Sequence, residues 1–222
     1  MTDLLLIRHG QADHNLEGYW VGWGPSPLTE EGHRQAGAVA QRLASWSPSI
    51  IHLYASPLRR AWQTAEPIAR RLGLKTVAHD GLREINFGVV DGLTMETFRQ
   101  TMPELFAQWQ DRGDLSFRYP GGEQRLAFFR RVGQTLDEIV DRHPGQQIAV
   151  VAHGGTIRGG LAWLFPDTMR DWWAYDLHNG SLTHVRFGGM GKSLVALNDC
   201  EHLDGRCFDE RWESQYNNSE AG

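Results

Sequence analysis

Apolar positions along the chain lay out strands alternating with helices. Leu4 to Ile7 is a continuous apolar run of strand length, the pattern of a strand buried on both faces. Ile50 to Tyr54 and Ile148 to Ala152 read the same way, and Lys75 to Ala78 fits a short strand. Ala36, Val39, Ala40 and Leu43 recur at helical spacing. Thr29 is the expected N-cap of that helix, Glu30 and Glu31 sit in a first turn where the dipole favours negative charge, and Ser47-Pro48 ends it. Leu58, Ala61, Ala65, Ile68 and Leu72 predict a second helix, opened by Ser56-Pro57 as cap and first residue and stopped by Gly73. Leu126, Phe129, Val132, Leu136, Ile139 and Val140 predict a third, closed by His143-Pro144-Gly145. A further helix is expected over about Thr156 to Leu164, and a strand pair over Ser181 to Phe187 and Ser193 to Leu197.

Two stretches lack periodicity. Gln11 to Leu28 reads as a polar loop. The stretch 81–122, broken by Gly88, Gly92, Pro103, Gly113 and Pro120, reads as a cap of loops and short helices. No repeat or linker divides the chain, so a single domain is expected over 1–222, with a polar tail over 208–222. The alternation predicts an α/β layered fold.

In open α/β sheets, ligands collect beyond the carboxyl ends of the strands. Two of the best strands end there in histidine and glycine, His9-Gly10 and His153-Gly154. One such histidine is more often a satisfied polar residue than a reactive one. Two equivalent placements shift that balance, because both rings would converge on one crevice. Ser56 to Ala65 adds a helix N-terminus with Arg59 and Arg60 in its first turn, where free N–H groups and guanidinium forks make an anion site. Chemistry alone leaves either arginine as the clamp. Glu84 lies in the cap and, taken alone, reads as a surface acid.

Composition narrows the partners. Apolar residues make up 41% and charged residues 22%, which excludes a disordered chain, and the net charge of −5 leaves no basic footprint for nucleic acid or a membrane surface. Four apolar residues at the N-terminus are too few for a signal peptide or a membrane span. Cys200 and Cys207 alone imply no disulfide framework, although one bridge between them stays open, and a cytoplasmic location is expected.

Together these pieces resemble the histidine phosphatase superfamily, which includes the phosphoglycerate mutases and many small phosphatases. The resemblance runs in order through Arg8-His9-Gly10 with Asn15 beyond it, Pro27 to Gly32, Ser56 to Ala65, Glu84 to Gly92, His153 to Arg158, and Asn198 with His202-Leu203. It implies a three-layer α/β/α sandwich with a mostly parallel central sheet and an irregular cap. It also implies His9 as nucleophile, selects Arg60 over Arg59, sets Arg8, Arg60 and His153 around the phosphoryl oxygens, and makes Glu84 the general acid and later the base. The cations around His9 are expected to keep it neutral. Asn15, Gln11, Gly154 and Trp23 are the substrate-binding candidates. Tyr19, Trp20 and Trp23 fit core packing as well as a substrate pocket.

The expected reaction is hydrolysis of a small phosphomonoester, with a small phosphorylated metabolite as partner and no cofactor. Mutase-type transfer and a non-catalytic phospholigand module compete with it. The short span from Glu84 to His153 and Gln11 in place of an acid favour hydrolysis, and a binder has no use for Glu84. Metal ligation is the weaker idea: no H-E-x-x-H or C-x-x-C occurs, and His14, His33, His52 and His79 show no ligand spacing. Gly191-Lys192-Ser193 echoes a phosphate-binding loop, but Arg186 occupies the place of its first glycine and the stretch leads into a strand.

Overall fold

In a computed structural model, residues 1–189 and 191–204 are described; Cys207 and the expected tail over 208–222 lie outside them. In chain order the elements are β1 (Thr2–Arg8), α1 (Asp13–Glu17), α2 (Glu30–Ala44), β2 (His52–Ala55), α3 (Arg59–Leu72), β3 (Thr76–Ala78), α4 (Met95–Thr101), α5 (Pro103–Gln110), α6 (Arg125–Arg142), β4 (Gln147–Ala152), α7 (Gly154–Leu164), β5 (Leu182–Gly188) and β6 (Gly191–Asp199). A 3-10 stretch over Pro166–Ala174 follows α7. Among the described residues, no helix is long and apolar enough to cross a membrane.

The strands form one sheet in the order β3-β2-β4-β1-β5-β6. The first four are mutually parallel, and β5 and β6 run antiparallel to their neighbours. Side chains alternate across a strand. Leu4 and Leu6 of β1 therefore join Ile148 and Val150 of β4 in a cluster with Phe128, Val132 and Leu136 of α6 and with Ile157 and Leu161 of α7. Leu5 and Ile7 turn the other way and join Ala149 and Val151 against Val39 and Leu43 of α2 and Ala61 and Ile68 of α3. This is the expected three-layer α/β/α sandwich. The apolar runs are continuous because both faces of β1 and β4 are covered. The 81–122 stretch packs into the first cluster through Leu82, Val90, Phe98, Phe106 and Trp109.

Three boundaries differ from the sequence reading, each for a local reason. The loop after β1 contains α1, closed at its start by the Asn15 amide oxygen, which accepts from Ala12 N at 3.0 Å. Helix α3 starts at Arg59, because Leu58 holds the cap position in extended backbone; the Ser56 hydroxyl accepts from Leu58 N at 3.3 Å and also meets the His153 ring at 2.8 Å. Helix α7 starts at Gly154, with His153 as its N-cap, so both glycines lie in its first turn. Thr29 caps α2 as expected, accepting from Gly32 N at 3.0 Å. Gly73 closes α3 with φ 67°, a left-handed conformation that glycine takes without strain.

The first turn of α2 abuts the segment after β1 so closely that a Cβ on Gly32 would collide with the Gln11 carbonyl oxygen. Gly32→Ala is therefore expected to lower stability by about 1–3 kcal/mol, the usual cost of forcing atoms into a packed interior. Gly37→Ala in the same helix meets nothing within 4 Å and should raise stability by about 0.5–1 kcal/mol through helix propensity. Thermal unfolding of the two variants should move in opposite directions.

Candidate active site

Strands β2, β4 and β1 are parallel neighbours whose carboxyl ends are level. Ala55 faces Val151 and Arg8 faces Ala152. The next residue of each strand is Ser56, His153 and His9. Backbone bonds continue the alignment: Ser56 N donates to Val151 O at 2.9 Å and His9 N to Ala152 O at 3.0 Å. Sheet register alone thus brings the two histidines together, with ring centroids 5.2 Å apart.

The hydrogen bonds fix which nitrogen carries each proton. His9 Nδ1 lies 2.7 Å from Gly10 O, and a carbonyl oxygen can only accept, so Nδ1 is protonated and Nε2 presents its lone pair. Arg60 Nε donates to that Nε2 at 3.3 Å and to His153 Nδ1 at 3.1 Å. Guanidinium has no acceptor, so His153 Nδ1 is the unprotonated nitrogen and its Nε2–H donates to Ser56 Oγ at 2.8 Å. Arg60 is 1% exposed. Its Nη2 donates to the carbonyls of Val21 and Gly22 at 3.1 and 2.9 Å, and its buried Nη1 has no acceptor among the described residues. Arg8 Nη1 donates to Leu177 O.

Burial and charge both keep the imidazoles neutral. His9 and His153 are held well below the usual histidine value, first by burial and then by the Arg60 guanidinium, with Arg8 adding a smaller push. The sequence reading had the direction from the cations; the larger cause is burial. Arg60 is itself lowered to about 10 by desolvation.

Glu84 enters from the cap side. One carboxylate oxygen accepts from Ile85 N at 2.8 Å and the other from Gly155 N, in the first turn of α7, at 2.9 Å. A Cβ on Gly155 would collide with this carboxylate, which explains a glycine there. The Glu84 backbone is pinned by Trp23 Nε1, which donates to its carbonyl at 2.8 Å, and by Arg131, which donates to the carbonyls of Gly81 and Arg83 at 2.9 and 3.1 Å. Arg131 is held in turn by Glu123 at 2.8 Å.

Arg8, His9, Asn15, Arg60, Glu84 and Gly154 line one cavity of ≈ 680 Å³, with His153 immediately behind Arg60. Gln11 and Trp23 stand outside that lining. The Gln11 side-chain oxygen accepts from the Thr29 hydroxyl at 2.9 Å, and Trp23 lies under the Arg83 guanidinium, 5.0 Å from it. Asn15 lines the cavity, but its amide oxygen serves Ala12 N and its nitrogen meets His14 Nε2 at 3.2 Å. His14, dismissed as patternless, sits in the cavity with its ring 5.9 Å from His9 and is lowered to about 2 by burial, then Arg60 and Arg8. Asn179 was also missed; its amide donates to His9 O at 3.1 Å. The Asn179-Gly180 turn pair before β5 was its available signal.

Comparison with known proteins agrees with this geometry. The family profile of the histidine phosphatase superfamily (branch 1) matches residues 4–200. Phosphoserine phosphatase 1 of Hydrogenobacter thermophilus is 29% identical over 91% of this chain and 95% of its own. A probable phosphoglycerate mutase, GpmB, of Yersinia enterocolitica is 34% identical over 95% of this chain and 99% of its own. The crystal structure of phosphoserine phosphatase from Entamoeba histolytica in complex with 3-phosphoglyceric acid superposes with a TM-score of 0.81 at 27% identity, covering 91% of this chain and 100% of that one.

Two measurements test the site's electrostatics and its scaffold. Because His9, His14 and His153 are neutral when folded and their pKa values are depressed, the unfolded chain takes up protons below pH ~6.5 that the folded chain refuses. Stability should fall as pH drops from about 7 to about 5.5, with each histidine contributing up to about 1.4 kcal/mol per pH unit. Urea unfolding at the two pH values should show this, and His14→Asn should flatten the slope. Ser56→Ala should leave the His153 Nε2–H buried without an acceptor, costing about 1–3 kcal/mol of stability. The same variant should lower kcat with a smaller change in KM, since it loosens the ring that Arg60 faces.

Proposed function

The chain belongs to the histidine phosphatase superfamily, and we propose that it is a metal-independent phosphatase which hydrolyses a small phosphomonoester through a phosphohistidine on His9. The observation that carries this reading is the shared Arg60 donor: one guanidinium N–H faces the lone pairs of both imidazoles, which is where a phosphoryl group would be held.

In the first step the His9 Nε2 lone pair attacks phosphorus and the bond to the leaving oxygen breaks. Arg8 and Arg60 stabilise charge on the equatorial oxygens as that happens, while the His153 Nδ1 lone pair holds Arg60 in place. Glu84 is the general acid that gives a proton to the leaving oxygen. Each of its oxygens uses one lone pair on a backbone N–H and keeps another for this proton. In the second step Glu84, now a carboxylate, takes a proton from water as the water oxygen attacks phosphorus. The P–N bond breaks and returns the electron pair to Nε2. The Gly10 carbonyl holds Nδ1–H throughout, so the reactive nitrogen is always the same one.

Asn15 holds His14 beside the nucleophile, Gly154 packs beside Arg8, and Gln11 and Trp23 act as positioning residues for α2 and for Glu84. Arg8 and Arg60 supply the positive charge, and the mechanism routes no step through a metal. Two cysteines in 222 residues suit a cytoplasmic enzyme acting on a soluble metabolite.

The test uses p-nitrophenyl phosphate, and separately 3-phosphoglycerate with its bisphosphate, in the presence of a chelator. Phosphate release should persist with chelator and fall by about 10⁴-fold or more in His9→Ala, and acid-labile label should appear on the wild-type chain. Isomerisation exceeding release would establish the mutase alternative. Activity surviving in His9→Ala would falsify the nucleophile assignment.

A further inference from the structure

The cavity extends well beyond the phosphate end. Nine aromatic side chains line it, and a three-carbon ester would leave most of its ≈ 680 Å³ to water; the volume falls in the range of sites for drug-sized ligands. Most of these rings have a packing role. Trp20, Trp109, Tyr119, Phe128 and Phe129 belong to the core cluster, and Phe87 and Trp172 pack against it. Tyr19 and Trp173 belong to no hydrophobic cluster among the described residues, yet both line the cavity. Tyr19 is 41% exposed. Large rings held at a cavity wall without core contacts are what aromatic recognition uses, since each offers a wide apolar face with few rotamers to fix.

Both rings sit on anchored backbone. Tyr19 N donates to His14 O at 3.1 Å, and Tyr19 bridges to Thr94 at the start of α4. Trp173 stands edge-on to Trp172, whose Nε1 donates to Arg112 O at 3.0 Å and whose ring meets Phe129 at 5.3 Å. The cations on this side are employed in holding the wall. Arg112 lies 3.3 Å over the Trp109 ring, Arg125 donates to the carbonyls of Trp109, Asp111 and Asp114, and Arg158 Nε donates to Tyr175 O at 2.7 Å. The wall offered to a leaving group therefore presents rings, beside the carboxylates of Glu17 and Asp176.

We infer that the leaving group carries a planar aromatic body, such as a heteroaromatic base on a sugar, that stacks against Tyr19 and Trp173. This rests on the phosphatase reading above and names its substrate class. Adenosine 5′-monophosphate and ribose 5-phosphate test it, because both present a primary alkoxide as the leaving oxygen and differ chiefly in the base. In the wild-type enzyme the base should raise kcat/KM by about tenfold or more, equivalent to about 1.4 kcal/mol per tenfold. In the Tyr19→Ala, Trp173→Ala double variant that ratio should fall towards one. Circular dichroism and residual turnover of ribose 5-phosphate confirm that the variant is folded, and the single variants serve if it is not. A ratio near one in the wild type overturns the inference, as does a tenfold ratio that survives the double substitution. If p-nitrophenyl phosphate turns over without such a preference, the aromatic reading alone fails. If none of the three esters releases phosphate, the phosphatase reading fails and takes this one with it.

Discussion

A guanidinium group buried between two neutral imidazoles is the contact on which the rest of this molecule depends. Taking a cation out of water costs several kcal/mol unless its donors find acceptors. Arg60 directs Nε to two ring nitrogens and Nη2 to two main-chain carbonyls. Its position disfavours protonation of both rings, and their neutrality in turn gives its Nε–H two lone pairs to face. Protonating either ring would set two cations against each other in a site with little water to screen them. The pair of histidines and the arginine thus define one charge state jointly.

That arrangement is inexpensive to build because the sheet does most of the positioning. Parallel register places Ser56, His153 and His9 at adjacent strand ends with no loop to be ordered. Glycines then let the neighbouring elements come close: Gly32 against Gln11 and Gly155 against Glu84. In each case the space a Cβ would need is occupied by a group that the site requires. Main-chain and side-chain partners complete the work, with Gly10 O choosing the His9 tautomer and Arg60 choosing that of His153, whose Nε2–H then donates to Ser56.

How far the sequence revealed this varies with the kind of force involved. Leu4 to Ile7 and Ile148 to Ala152 announced buried strands because burial on both faces leaves no polar alternation, and the histidines at their ends followed from position alone. The layered α/β fold was legible for the same reason, and the family resemblance implied its three layers. Contacts that depend on side-chain competition were not. Ser56 looks like an N-cap by residue type, and its hydroxyl does accept from Leu58 N, but it also serves His153, and the helix begins only at Arg59 because Leu58 stays extended. His14 has no spacing relation to the other histidines; it reaches the cavity because the short α1 turns it inward, and a five-residue helix has too few positions to show periodicity. Arg131 looks like any exposed arginine on an amphipathic helix, and only the folded cap shows it gripping the carbonyls of Gly81, Arg83 and Glu84.

The two ends of the cavity rest on different parts of the chain. The phosphate end is made by strand termini and the first turns of α3 and α7, where register and close glycine contacts leave little freedom. The leaving-group end is made by α1, the 81–122 stretch and Pro166–Ala174, where rings and arginines tie loop to loop. A change at the first end disturbs the charge state of every member at once, since Arg60 touches both histidines. A change at the second alters shape while leaving the reacting nitrogen, its tautomer and its cation in place. This division explains how relatives named for a phosphatase and for a mutase can both align with nearly the whole chain. The chemistry is fixed where the sheet ends, and what is brought to it is decided by residues the sheet does not constrain.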